Sequence, residues 1–73
     1  MRVPRLHTPQ SLNLNSELLL VDDAAHYISK VLRLRPEDYV RLFNGNDGEF
    51  SARILTVDKK SVTVLLEQQL QGG

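Results

Sequence analysis

His26, Lys30 and Arg33 stand four and three residues apart in the stretch HYISKVLRLR, residues 26–35, which holds four basic side chains and no acid. On an α-helix, turning roughly 100° per residue, that spacing gathers the three within about 60° of one another. Positive, hydrogen-bond-donating groups in a row suit phosphate oxygens better than proton transfer. Arg35 extends the row just past the helix. A second basic set, Arg2, Arg5 and His7, lies in a sixteen-residue opening that contains no acid. If the two sets pack side by side they merge into one cationic groove. The alternative is an ordinary solvated helix face, since Lys and Arg near a helix C-terminus also favour its dipole. Asp22, four residues before His26, is placed to pair with it.

Other chemistries find little footing. Nine Lys and Arg balance nine Asp and Glu, so binding to nucleic acid must use a local patch rather than net charge. Without cysteine there is no disulfide and no thiolate. Two scattered histidines do not make a zinc site, and no serine or carboxylate pair gives His7 or His26 a catalytic role. NGNDG, residues 44–48, could hold a phosphate in its backbone N–H groups, but a hairpin turn accounts for it. Lys59 and Lys60 read as turn residues that keep a hairpin soluble. Tyr27 is placed either to stack on a base or to edge the core. The start, MRVPRLHTPQ, lacks the apolar region of a signal peptide. The run LLLV at 18–21 is too short to cross a bilayer. No membrane partner is expected, and the lack of cysteine suits a cytoplasmic protein.

The elements that must position these residues alternate between strand and helix signals. Residues 2–7 have period-two character, restricted to an edge or bulge by Pro4. Residues 8–15 read as a loop, and Glu17–Val21 as a buried strand. Asp22 is the expected N-cap of one amphipathic α-helix over about 23–34, with Ile28, Val31 and Leu32 toward the core and Pro36 ending it. Residues 39–43, 50–57 and 62–66 alternate as three strands joined by NGNDG and by Asp58-Lys59-Lys60, an antiparallel meander. The glutamine-rich end, 68–73, reads as flexible chain or the start of a linker. About five strands and one helix predict a mainly β fold, a small antiparallel sheet curled into a partly closed barrel. With 73 residues, the chain makes one small domain at most.

Three of these stretches, MRVPRLHTP, AAHYISKVLRLR and LFNGNDGEF followed by KKSV, resemble in order and spacing the N-terminal domain of the RsmE family. These are bacterial methyltransferases of small-subunit ribosomal RNA that modify N3 of a uridine with S-adenosylmethionine. The resemblance implies a PUA-like β-barrel over residues 1–70 that helps seat the RNA, with 71–73 beginning a linker. It implies that the methyl donor and the catalytic groups belong to a second, SPOUT-type knotted domain that forms a homodimer. The 73 residues alone would then be inactive in methyl transfer, without cofactor, and possible as a monomer. The family's basic arm falls on Arg2 and Arg5, its helix motif on His26, Val31, Leu32 and Arg33, and its hairpin motif on Phe43, Asn44 and Gly45. An acid is common where Asn44 stands. The expected RNA-binding set is Arg2, Arg5, His26, Lys30, Arg33 and Arg35. A protein-docking module that orients the catalytic dimer, using Phe43 and Leu70, is the alternative.

Overall fold

Alternation over residues 39–66 builds the centre of the molecule. In the computed structural model, which describes residues 3–72, β3 (Tyr39–Asn44), β4 (Gly48–Val57) and β5 (Ser61–Gln71) form the expected antiparallel meander. We number β1 as Arg5–His7 and β2 as Glu17–Val21. Val40, Leu42, Phe50, Ala52, Ile54, Val62, Val64 and Leu66 all point inward and are buried. Burying such a Val, Leu, Ile or Phe side chain contributes about 1.5–3 kcal/mol. β2 closes one side, antiparallel to β5 with Val21 opposite Ser61. β1 closes the other, parallel to β3, giving the order β1-β3-β4-β5-β2. The sheet curls into a half-barrel, helped by three register shifts between β4 and β5 that add local twist. Pro4 precedes the edge strand β1 and its carbonyl accepts from the Arg41 N–H at 2.7 Å. Proline is tolerated there because it stands just before an edge strand. Arg2 lies outside the described residues.

Two expectations are corrected at the ends of elements. The glutamine-rich end is paired strand as far as Gln71, with Gln68 opposite Ser51 and Gln69 opposite Phe50. Its side chains are exposed, so the pairing rests on backbone hydrogen bonds and leaves no hydrophobic signature in the sequence. The helix is also shorter and less regular than the spacing predicts. It is α-helical over α1 (Asp22–His26) and then π-helical over Tyr27–Val31. Ser29 Oγ donates to the Ala25 carbonyl at 2.9 Å, a contact that bends helices, where the winding widens. The wider turn moves Val31 off the core face, leaving it 58% exposed, while Ala25 and Ile28 are buried. Leu34 and Ala24, rather than Val31, supply the flanking contacts.

Both helix ends differ from expectation. Val21 is the N-cap and no side chain caps the first turn. Asp22 itself adopts a left-handed backbone, φ 53°, and makes no ion pair with His26. At the other end Arg33 turns left-handed, φ 56°, and the Leu34 N–H donates back to the Ile28 carbonyl at 3.0 Å. This is a widened form of the common left-handed C-terminal cap. The helix therefore ends at Val31, capped by Leu32, before Pro36 can act.

NGNDG is a hairpin turn and also a clasp. Asp47 Oδ2 accepts from the Leu12 N–H and from Asn44 Nδ2, each at 3.0 Å, and Asn44 Nδ2 also donates to the Gln10 carbonyl at 2.8 Å. The clasp seats Leu12 in the core. The Leu12 N–H and the Asn44 amide hold the Asp47 carboxyl below its ordinary value. A carboxyl depressed in the folded state contributes stability that is complete above its unfolded pKa, about 3.9 for aspartate, and is lost as pH falls through the folded value. Amide exchange at Leu12 should therefore stay slow from neutral pH to about 4 and accelerate below it, beyond the intrinsic trend. Leu12 protection that follows only the intrinsic trend down to pH 2, on the order of two units below the unfolded value, would rule the clasp out.

Candidate nucleic-acid interface

The pairing of β2 with β5 decides where the helix cations sit. Val21 lies opposite Ser61, so the helix leaves the sheet beside the Asp58–Lys60 turn. Lys30, Arg33 and Arg35 line a groove of about 640 Å³ together with Lys59, Ser29, Leu34, Pro36, Val57 and Asp58. A smaller hollow of about 210 Å³ continues along the same side, lined by His26, Lys60, Asp22 and Lys59. Two-thirds of the expected set, His26, Lys30, Arg33 and Arg35, thus lie along one side of the domain. Lys59 and Lys60, read from the sequence as solubilising turn residues, join them. Asp22 and Asp58 stand among the lining residues, and Asp38 Oδ2 accepts from the Arg35 backbone N–H at 2.8 Å. Among the described residues none of these six cations forms a salt bridge within 4.0 Å, and the cations outnumber the acids beside them. A π-helical turn, a winding found often at functional sites, carries Lys30, and the left-handed Arg33 follows it. Tyr27 is 41% exposed on the same turn.

Arg5 belongs to a different place. It is not among the groove residues; β1 pairs with β3, and Arg5 Nε donates to Glu49 Oε1 at 2.7 Å. Its guanidinium lies 4.0 Å from the centroid of the Phe43 ring, and His7 packs edge-on against the same ring at 5.4 Å. Arg41, the β3 residue opposite Arg5, approaches Glu49 Oε2 at 3.6 Å. The merging of the two basic sets that packing side by side would bring is not seen for Arg5. Next along the sheet, Arg53 is tied to Glu67 at 2.7 Å and to Glu37 at 3.1 Å. The two carboxylates raise its pKa and Arg53 in turn lowers that of Glu67. Arg53 is internally neutralised.

Among the described residues no helix is long and apolar enough to cross a membrane, and no cluster of His, Asp or Glu has the makings of a metal site.

Residues 20–67 match the family model for the RNA methyltransferase PUA domain. The chain is 42% identical over 72 residues to the ribosomal RNA small subunit methyltransferase E of Rickettsia conorii, covering 97% of this chain and 30% of that protein. It is 35% identical over 63 residues to the protein of the same name from Buchnera aphidicola subsp. Acyrthosiphon pisum, covering 86% of this chain and 25% of that one. Among solved structures, a Legionella pneumophila protein in complex with the cofactor SAM superposes with a TM-score of 0.85 at 32% identity, over 93% of this chain and 28% of that one. The ribosomal RNA small subunit methyltransferase E of Neisseria gonorrhoeae, bound to S-adenosylmethionine, gives 0.82 at 25% identity, over 92% and 27%. The chain spans under a third of the length of these relatives. With the family model matched over most of its length and both solved relatives superposing over more than nine-tenths of it, the chain belongs to the RNA methyltransferase PUA domain family, in the RsmE line that its motifs resemble.

Proposed function

We propose that this chain is the RNA-seating domain of an S-adenosylmethionine-dependent 16S rRNA (uracil-N3)-methyltransferase, with the methyl donor, the catalytic groups and the SPOUT-type dimer interface elsewhere in the whole protein. The observation that carries this reading is the groove that Lys30, Arg33, Arg35 and Lys59 line together, none of them in a salt bridge among the described residues. Four cations along one open groove suit the charge of a phosphate backbone, and His26 and Lys60 extend the track. On this reading the protein takes part in ribosome biogenesis in the cytoplasm, and residues 71–73 lead toward the catalytic domain. The docking alternative would rest on Leu70, 40% exposed; Phe43 is already occupied by Arg5 and His7.

Titration of the isotope-labelled chain with a small-subunit rRNA hairpin at low salt tests the proposal. Shifts are expected at Ser29, Lys30, Arg33, Arg35 and Lys59, fading as salt is raised. Shifts confined to Leu70 and its neighbours, or none at all, would sink it.

A further inference from the structure

Arg5 and Arg41 form a second cationic site on the face of the sheet formed by β1, β3 and β4, built differently from the groove. Glu49 is the anchor: a carboxylate only 7% exposed, with Arg5 Nε donating to one oxygen at 2.7 Å and Arg41 approaching the other at 3.6 Å. Two guanidiniums share one carboxylate, so a positive charge remains. This contrasts with Arg53 nearby, where two carboxylates hold one guanidinium. Arg5 spends only its Nε on Glu49, and no other acceptor takes its terminal nitrogens among the described residues. Its guanidinium carbon lies over the Phe43 ring, 4.0 Å from the centroid, and His7 meets the same ring edge-on. Its side chain is still 56% exposed and that of Arg41 49%. A planar cation is therefore set over an aromatic ring, tied by a buried carboxylate, and still more than half exposed.

Such a plane suits a nucleobase. Unpaired bases stack on arginine guanidinium planes as they do on aromatic rings, and the ordering cost is reduced when the plane is already held in place. A phosphate alone would need charge but neither the ring beneath Arg5 nor the buried Glu49. We propose that Arg5 is a stacking platform for one unpaired base of the bound RNA, with Arg41 donating to a phosphate next to that base. The proposal rests on the reading of this chain as an RNA-binding domain and adds a preference to it: single-stranded loop or bulge over continuous duplex.

The test compares two fluorescent RNAs by anisotropy at fixed low salt, a hairpin with an unpaired loop and a blunt duplex of equal charge. Arg5→Lys keeps the charge and removes the plane. It should weaken loop binding roughly tenfold, the scale of losing one stacked base, and leave duplex binding unchanged. An abasic nucleotide scanned through the loop should cost the natural chain a similar factor at one position, and cost Arg5→Lys nothing further there. A dispersed amide spectrum for Arg5→Lys shows that the variant is folded; the abasic scan needs no variant at all. Equal loop and duplex affinities in the natural chain, an abasic scan without a sensitive position, or equal losses on both RNAs in Arg5→Lys would overturn the proposal. The groove fails separately: Lys30→Ala with Arg33→Ala should weaken both RNAs alike. If it weakens neither while Arg5→Lys still distinguishes them, the groove reading falls and the platform stands.

Discussion

Lys30→Glu with Arg33→Glu is expected to weaken binding of a small-subunit rRNA hairpin by roughly a hundredfold or more at about 0.1 M salt. Each phosphate contact releases counterions, so affinity falls with salt at a log–log slope of about −0.7 per contact on single strands and about −0.9 on duplex. Four groove cations give a slope near −3, and the double reversal should reduce it to about −1 or flatter, because two acids now oppose the two cations left. Folding should survive. Both side chains are exposed and neither forms a salt bridge among the described residues, and exposed substitutions of this kind usually change stability within about 0.5 kcal/mol. A variant that binds as the natural chain does, with an unchanged salt slope, refutes the groove. Arg33 also permits a separation of effects. Its left-handed backbone costs a non-glycine residue about 1–2 kcal/mol, so Arg33→Gly should relieve strain while removing a phosphate contact. Stability rising or holding as RNA affinity falls is the pattern of a residue kept for binding.

The strands were legible because their chemistry is local. Val40 and Leu42, Ala52 and Ile54, and Val62 and Val64 announce both their period and their inward face, and NGNDG announces its turn. What could not be read depended on partners distant in the chain. Lys59 and Lys60 look like turn residues until β2 is known to lie beside β5, which brings the helix start next to them. Arg5 looks like part of a basic arm until Glu49, forty-four residues away, takes its Nε. Arg41 gave no signal beyond its strand position, because its use depends on β1 pairing in parallel with β3. The helix failed for a different reason. A 3.6-residue period does not hold past His26, because the π turn over Tyr27–Val31 shifts every later residue around the axis. Val31 moved to solvent, while Lys30 and Arg33 kept to a common groove wall. The family resemblance supplied the fold and the RNA expectation, but not which cations share a surface.

Gly48→Ala is expected to destabilise the domain by roughly 2–4 kcal/mol, lowering the thermal midpoint by about 10–20 °C for a chain of this size. Two costs combine. Gly48 opens β4 with φ 91°, in the region that side chains avoid. A β-carbon there would also overlap the Gln71 carbonyl oxygen, a backbone atom that cannot rotate aside. Either the last pairs of β5 with Phe50 and Glu49 open or the hairpin distorts, and distortion reaches the Asp47 clasp immediately before it. Gly45, three residues earlier in the same turn, is the control: nothing lies within 4 Å of its would-be β-carbon. Gly45→Ala should stay within about 0.5 kcal/mol of the natural chain. The two costs separate in a third variant. Ending the chain at Leu70 removes the clashing carbonyl but not the backbone angle, so Gly48→Ala in that background should retain only the strain, about 1–3 kcal/mol. Equal midpoints for Gly45→Ala and Gly48→Ala would mean that β5 does not close on the hairpin as described. An undiminished penalty in the shortened chain would assign the whole effect to φ and none to the approach of Gln71.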